Sequence, residues 1–279
     1  MKIIDSRVRL RTETMLKAWT TELKPYYRDY IGLYKMKSRL SVLSVEEFIE
    51  HAAARGIERM VACGLTREES EHVLELSKKH AALIPVCGVT IENGIRYALR
   101  DIQRYFEAGA AAVQVLPYLC KLDVHDRQLY PLYGLCELMK KPVIVHGSIH
   151  FWRSSYMWHG QPQYFDEIAV DFPELKLIVS HGGNGFGPPM LAVAQRHPNI
   201  YLEFSALNPT YMAPEFLYAA NTYLRRKCLF GTDYPLVDFD VAIERWKKVL
   251  RKDVAESFFH DNILDALYGE PQGLWPGGA

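Results

Sequence analysis

Eight short apolar runs, each followed by a segment long enough for a crossover helix, predict an α/β fold, a single-domain (β/α)8 TIM barrel over residues 1–279. The runs are continuously apolar rather than alternating, as expected of strands buried on both faces. The connections are long enough to return the chain alongside the same sheet, which parallel neighbours require. The length of 279 residues sits near the roughly 250 typical of such a barrel.

Strand one opens with Ile3-Ile4-Asp5, and a long polar and aromatic stretch follows from residue 11 to about residue 44. A helix then begins around Glu46, with Ser44 as its cap and Glu47 in the capping-box position, and Gly56 ends it. Strand two is 57–64, followed by a helix over 67–80. Strand three is 83–90, followed by a helix over 94–109. Strand four is 111–118, with its helix over 129–140. Strands five to eight fall at 142–147, 175–180, 199–205 and 228–232, and helical segments at 246–250 and 255–267 close the chain. The structural rival is an open doubly wound sheet, which needs a glycine-rich turn after strand one to bind a dinucleotide. Residues 5–11 contain no glycine.

Lys plus Arg and Asp plus Glu each number 33, so the formal net charge is zero, which argues against nucleic acid or an anionic membrane as a partner. No signal peptide is visible, and no apolar stretch approaches the ~18–20 residues that span a bilayer. The five cysteines form no C-x-x-C pair, and they are expected to be reduced, buried thiols of a cytoplasmic protein.

In a barrel of this kind the chemistry sits at the carboxyl ends of the strands. Strand five reads Val143-Ile144-Val145-His146-Gly147. Strand six reads Ile178-Val179-Ser180-His181-Gly182-Gly183, and strand eight Leu229-Phe230-Gly231-Thr232-Asp233-Tyr234-Pro235. A lone strand-end His is often structural, and a strand-end Asp is often a helix cap. Three titratable groups converging at one end of one barrel point instead to a catalytic set of Asp233, His146 and His181.

These three runs resemble those of the amidohydrolase-related family, which includes metal-dependent hydrolases and non-oxidative decarboxylases such as aminocarboxymuconate-semialdehyde decarboxylase. The stretch from Phe258-Phe259-His260-Asp261-Asn262-Ile263 to Gly269 is similar to the family's closing helix. The resemblance spans the whole chain and implies a barrel enzyme of hydrolase or lyase type. One departure stands out. Family members usually carry His-x-His or Glu-x-His at the end of strand one, where it supplies metal ligands. Here the matching residues are Arg7-Val8-Arg9. The i, i+2 spacing puts both side chains on one face, but a guanidinium has no lone pair to offer a cation.

Three roles compete for the two arginines: pairing with acids at the barrel floor, holding a substrate carboxylate or phosphate, or supplying positive charge in a metal's place. The anion-binding role is favoured, because unpaired arginines in a barrel mouth carry a heavy desolvation cost. Glu203, inside strand seven, is expected to pair with an arginine. Three ligands, His146, His181 and Asp233, are enough for one zinc ion. Yet a positive charge ~5 Å away costs a divalent ion roughly 6 kcal/mol at an effective dielectric of about 20. One divalent metal, zinc-like and weakly bound or absent, is therefore the expected cofactor.

The segment after strand five holds Trp152, Arg153 and Tyr156, and Asn184 follows the second His-Gly-Gly; all four are candidate substrate-binding residues beside Arg7 and Arg9. The insertion at 19–34 adds Tyr26, Tyr27, Tyr30 and Tyr34. Such aromatic loops suit a planar substrate or lid, or a contact between copies, so a homo-oligomer is expected. The functional expectation is hydrolysis of a carboxylated, anionic small molecule (a lactone, amide or related bond). Asp233 serves as general base, and His146 and His181 polarise the carbonyl or bind metal. The alternatives are a non-oxidative decarboxylase or hydratase acting on an aromatic or unsaturated acid, and a degenerate ligand-binding barrel without turnover.

Overall fold

The computed structural model describes residues 1–20 and 25–269, and the side chains of all of these except residues 18, 20 and 25–27. Eight strands run in sequence order around one parallel sheet: β1 (Ile3–Val8), β2 (Ile57–Cys63), β3 (Leu83–Gly88), β4 (Ala112–Val115), β5 (Val143–His146), β6 (Leu177–Ser180), β7 (Ile200–Glu203) and β8 (Cys228–Leu229). The main crossover helices are α1 (Glu13–Thr20), α2 (Pro25–Leu33), α3 (Val45–Ala53), α4 (Arg67–Lys79) and α5 (Ile95–Glu107). They continue with α6 (Pro117–Cys120), α7 (Tyr130–Leu138), α8 (Pro162–Asp171), α9 (Pro189–Arg196), α10 (Pro214–Asn221), α11 (Phe239–Val249), α12 (Lys252–Glu256) and α13 (Asn262–Tyr268). This is the single-domain (β/α)8 barrel that the sequence predicts.

Every residue of β3 to β8 is buried, as the unbroken apolar runs require. Helix starts follow their caps. Ser44 and Glu47 close a reciprocal capping box on α3, and Thr66 and Glu69 do the same on α4. No helix among the described residues is long and apolar enough to cross a membrane. The five cysteines are free thiols, four of them buried.

Several elements differ from their sequence reading. Strand four, expected over 111–118, ends at Val115, because Pro117 starts the short helix α6, and the helical segment expected at 246–250 is the end of α11, which starts at Phe239. Strand eight, expected over 228–232, pairs regularly only at Cys228 and Leu229. Beyond it the ladder is taken over by other groups. The Phe230 amide donates to the Phe258 carbonyl, and the Thr232 amide donates to the Asp5 carboxylate. The closing helix, expected unbroken over 255–267, carries a π turn at Ser257–Asp261. The turn faces both Phe258 and Phe259 inward, where they pack on Phe230, and it leaves the Phe258 carbonyl to the strand-eight extension.

The barrel closes between its first and last strands at a parallel bridge from Val8 to Tyr234. The Ser6, Asp233 and Arg9 amides donate to the Phe230, Arg7 and Tyr234 carbonyls at 3.0, 2.9 and 2.8 Å. Asp5 completes this seam from inside. One oxygen accepts the Arg7 and Thr232 amides, and the other lies 2.6 Å from Thr232 Oγ1. Burial of its carboxyl outweighs these bonds and lifts it from 3.8 to about 7.

The fold thus favours protonated Asp5, so its stabilising contribution is full below about pH 4 and is lost as pH rises through about 7. Asp5→Asn keeps the acceptor for both amides and does not titrate. Relative to the native chain, the variant is expected to gain up to about 4 kcal/mol between pH 4 and pH 8. Urea unfolding at the two pH values measures the difference, and a pH-independent difference would refute the assignment.

Candidate active site

At the carboxyl ends of the strands opens a cavity of about 310 Å3. Its polar lining includes Arg7, Arg9, His146, His150, His181, Asn184 and Asp233, so the three strand-end groups singled out in the sequence do share one site.

His146 ends β5, and its ring centroid lies 5.0 Å from that of His181. Burial pushes its pKa well below the usual imidazole range, and the neighbouring His181, His150 and Arg7 push in the same direction, so the ring is neutral. The Tyr118 ring stands edge-on at 4.6 Å, and Tyr118 in turn stacks on His150 at 4.6 Å. His150 spends both ring nitrogens locally. Nε2 donates to the Tyr156 carbonyl at 2.9 Å, and Nδ1 accepts the Trp152 amide at 3.3 Å. It therefore wedges the wall behind His146 and has no ring nitrogen left for substrate.

His181 follows β6 with φ +59°, and Gly182 continues in the left-handed region at +57°. This path suits glycine at 182 for a second reason: a Cβ there would stand 2.2 Å from the Phe204 ring. The path aims His181 Nδ1 at the Ser205 carbonyl, 3.0 Å away. A carbonyl only accepts, so Nδ1 carries a proton, and Nε2 is the ring nitrogen left to the cavity.

Asp233 also has positive φ, +55°, and is half-buried. Its amide is fixed on the Arg7 carbonyl. Among the described residues its carboxylate receives no hydrogen bond from the protein. Gly231, two residues earlier, has no room for a side chain: a Cβ would meet Glu203 Oε1 and Ser6 Oγ at 2.7 Å.

Both arginines are paired. Arg7 runs into the barrel, where Nε donates to Glu203 Oε2 at 2.9 Å, Nη1 to Gln114 Oε1 at 3.2 Å and Nη2 to Ser180 Oγ. The carboxylate of β7 that the sequence matched to an arginine is thus Arg7's partner. Arg9 donates to Glu69 Oε1 at 2.8 Å and lies over the Trp19 ring at 5.2 Å. The other oxygen of Glu69 accepts the Leu65 and Thr66 amides, so the start of α4 holds Arg9 in place.

The aromatic insertions meet over the mouth. Trp19, Tyr30, Tyr34 and Phe151 all line the cavity, with Tyr34 edge-on to Phe151 at 5.9 Å. The side chains of Tyr26 and Tyr27 lie outside the described residues. Asn184 lines the cavity, but Trp152, Arg153 and Tyr156 do not. Trp152 packs behind the wall, and Arg153 and Tyr156 face solvent. The sequence reading missed Tyr118, Gln114 and Ser180. Tyr118, at the end of the fourth apolar run, carried the same positional signal as the two histidines. Gln114 and Ser180 lie inside strands and gave none.

A resident divalent metal fits these residues poorly. Three histidines and one aspartate line the cavity, but both ring nitrogens of His150 are spent on backbone groups, and among the described residues no three His, Cys, Asp or Glu side chains gather as a metal-binding group. Arg7 on strand one lines the same cavity and brings a fixed positive charge that opposes a cation.

Comparison with known proteins agrees with this architecture. An uncharacterized TIM-barrel protein from Bordetella bronchiseptica is 26% identical, with TM-score 0.80 over 96% of this chain and 99% of that one. A dihydroxybenzoic acid decarboxylase from Polaromonas sp. JS666, solved with manganese and the inhibitor 2-nitroresorcinol, is 14% identical with TM-score 0.69, covering 95% and 96%. A probable 2-pyrone-4,6-dicarboxylic acid hydrolase from Acinetobacter baumannii, with citric acid bound, is 12% identical with TM-score 0.65, covering 96% and 99%. No curated protein matches the chain. The family model described as Amidohydrolase (Amidohydro_2) matches residues 38–268, and with the barrel and its strand-end groups in place, the chain belongs to that amidohydrolase family.

Proposed function

We propose that this barrel hydrolyses a carboxylated small molecule, such as a lactone or amide. The observation that carries this reading is the Asp233 carboxylate, which receives no hydrogen bond from the described protein and shares a cavity with His146 and His181. A general base must have a free acceptor beside the proton it takes. Asp233 removes a proton from water as the water oxygen bonds the carbonyl carbon, and the carbonyl pair moves onto oxygen. Neutral His146 lines the wall beside that oxygen, and His181 orients the water through Nε2. As the intermediate collapses, the bond to the leaving group breaks and the proton on Asp233 passes to the departing atom. Arg9 and Asn184 hold the substrate carboxylate against the aromatic wall. The solved structure described as a probable 2-pyrone-4,6-dicarboxylic acid hydrolase, which has the same fold, supports this class.

A decarboxylase is the second reading. Trp19, Tyr30, Tyr34 and Phe151 suit a flat ring, and the dihydroxybenzoic acid decarboxylase has the same fold. Here Asp233 or a histidine moves a proton to carbon. A panel of lactones and aromatic acids separates the two. Ring opening without carbon dioxide supports hydrolysis, and carbon dioxide release supports the lyase.

Asp233→Asn is expected to lower turnover about 10²–10⁴-fold, the usual contribution of a positioned base, with the circular dichroism spectrum unchanged. Near-native turnover would remove Asp233 from this role. The rim beside the cavity exposes Phe151, Tyr156 and Trp158, at 50, 77 and 55%. Such a patch favours self-association, and light scattering at micromolar concentration is expected to give a mass above that of one chain; a monomer mass would refute it.

A further inference from the structure

The Arg7 side chain is held more rigidly than ion pairing requires. It is buried, and its three bonded partners, Gln114, Ser180 and Glu203, belong to β4, β6 and β7. Glu203 is itself fixed, since its second oxygen accepts the Ser205 amide at 2.5 Å. A guanidinium has five N–H donors. One N–H on each terminal nitrogen of Arg7 has no partner among the described residues, and Arg7 lines the same cavity as His146, His181 and Asp233. Its charge acts on both Asp233 and His146.

We infer that Arg7 is the electrophile of this site: its two remaining N–H groups hold the oxyanion that forms on the substrate, and this fixed cation replaces a divalent metal. The inference rests on this cavity being the reaction site. A divalent ion polarises a carbonyl by concentrated positive charge. A guanidinium supplies less charge but a defined pair of donors, and it neither dissociates nor needs deprotonated ligands. The same charge opposes any cation entering beside it. With bonds to three strands, Arg7 cannot turn aside to make room.

The test needs no substrate at first. Native protein, dialysed against a mild chelator, is titrated calorimetrically with zinc chloride and with manganese chloride, and no stoichiometric binding is expected at micromolar metal. Arg7→His removes the cation and adds a donor, and its zinc affinity is expected to rise at least ~100-fold. Stoichiometric micromolar binding by the native protein would overturn the inference, as would a folded Arg7→His variant with no gain. If that variant does not fold, the native titration decides alone.

Turnover then provides a second arm. Arg7→Lys keeps the charge and loses the fork, so kcat is expected to fall about 10²–10³-fold with little change in KM, and added zinc restores nothing. A native kcat in Arg7→Lys would overturn the inference. Failure of every substrate in the panel would count against the hydrolase reading and leave the metal titration to judge Arg7.

Discussion

The buried ion pair between Arg7 and Glu203 is the constraint around which this barrel is arranged. Removing two charges from water is costly, and a buried pair persists only where further hydrogen bonds satisfy both partners. Here Gln114 and Ser180 bond the guanidinium, and the Ser205 amide bonds the carboxylate. The network reaches strands on opposite sides of the ring. Loss of either charged partner would leave a bare charge in the interior, at a cost of about 3–5 kcal/mol. Most barrels fill this layer with branched apolar side chains. This one gives up that packing for a charge with one face open to the cavity.

The backbone around the pair carries the remaining chemistry. The Arg7 carbonyl accepts the Asp233 amide, so one residue fixes a cation by its side chain and the carboxylate by its main chain. Asp233 and His181 both occupy the left-handed region, which a residue with a side chain adopts at a cost of order 1 kcal/mol or more. Each is held there by a bond to the neighbouring strand's chain, Asp233 to Arg7 and His181 to Ser205. The sharp turns aim short side chains into the cavity rather than along the strands. Gly231 and Gly182 make those turns possible by letting Glu203 and Phe204 approach closely.

Membership of the amidohydrolase family rests on residues 38–268, and strand one lies before the matched segment. The barrel is complete, and His146, His181 and Asp233 line one cavity at the carboxyl ends of its strands. Arg7 on strand one adds a fixed positive charge to that cavity. Glu69, which caps α4 and holds Arg9, shows how a local folding device is also used to place a charge at the mouth.

Much of this was legible in the sequence because it depends on local pattern. Apolar runs spaced by helical segments specify parallel strands, Ser44 with Glu47 specifies a helix start, and a polar residue ending an apolar run marks the functional rim. His146, His181 and Asp233 were readable for that reason, and Glu203 was readable as a charge in need of a partner. Other features depend on what closure of the ring brings together. Gln114 and Ser180 acquire their role only because the ring carries β1 close to β4 and β6, while Trp152 and Tyr156, equally prominent in sequence, turn away from the cavity. The shortening of strand eight follows from Asp5 bonding Thr232 across more than 200 residues of chain. Sequence determined which groups stand at the ends of which strands, because side-chain period and burial are local. Only the tertiary structure decided that Arg7 is locked in place with part of its fork unspent, because hydrogen-bond partners from distant strands are chosen by the closed barrel and not by spacing along the chain.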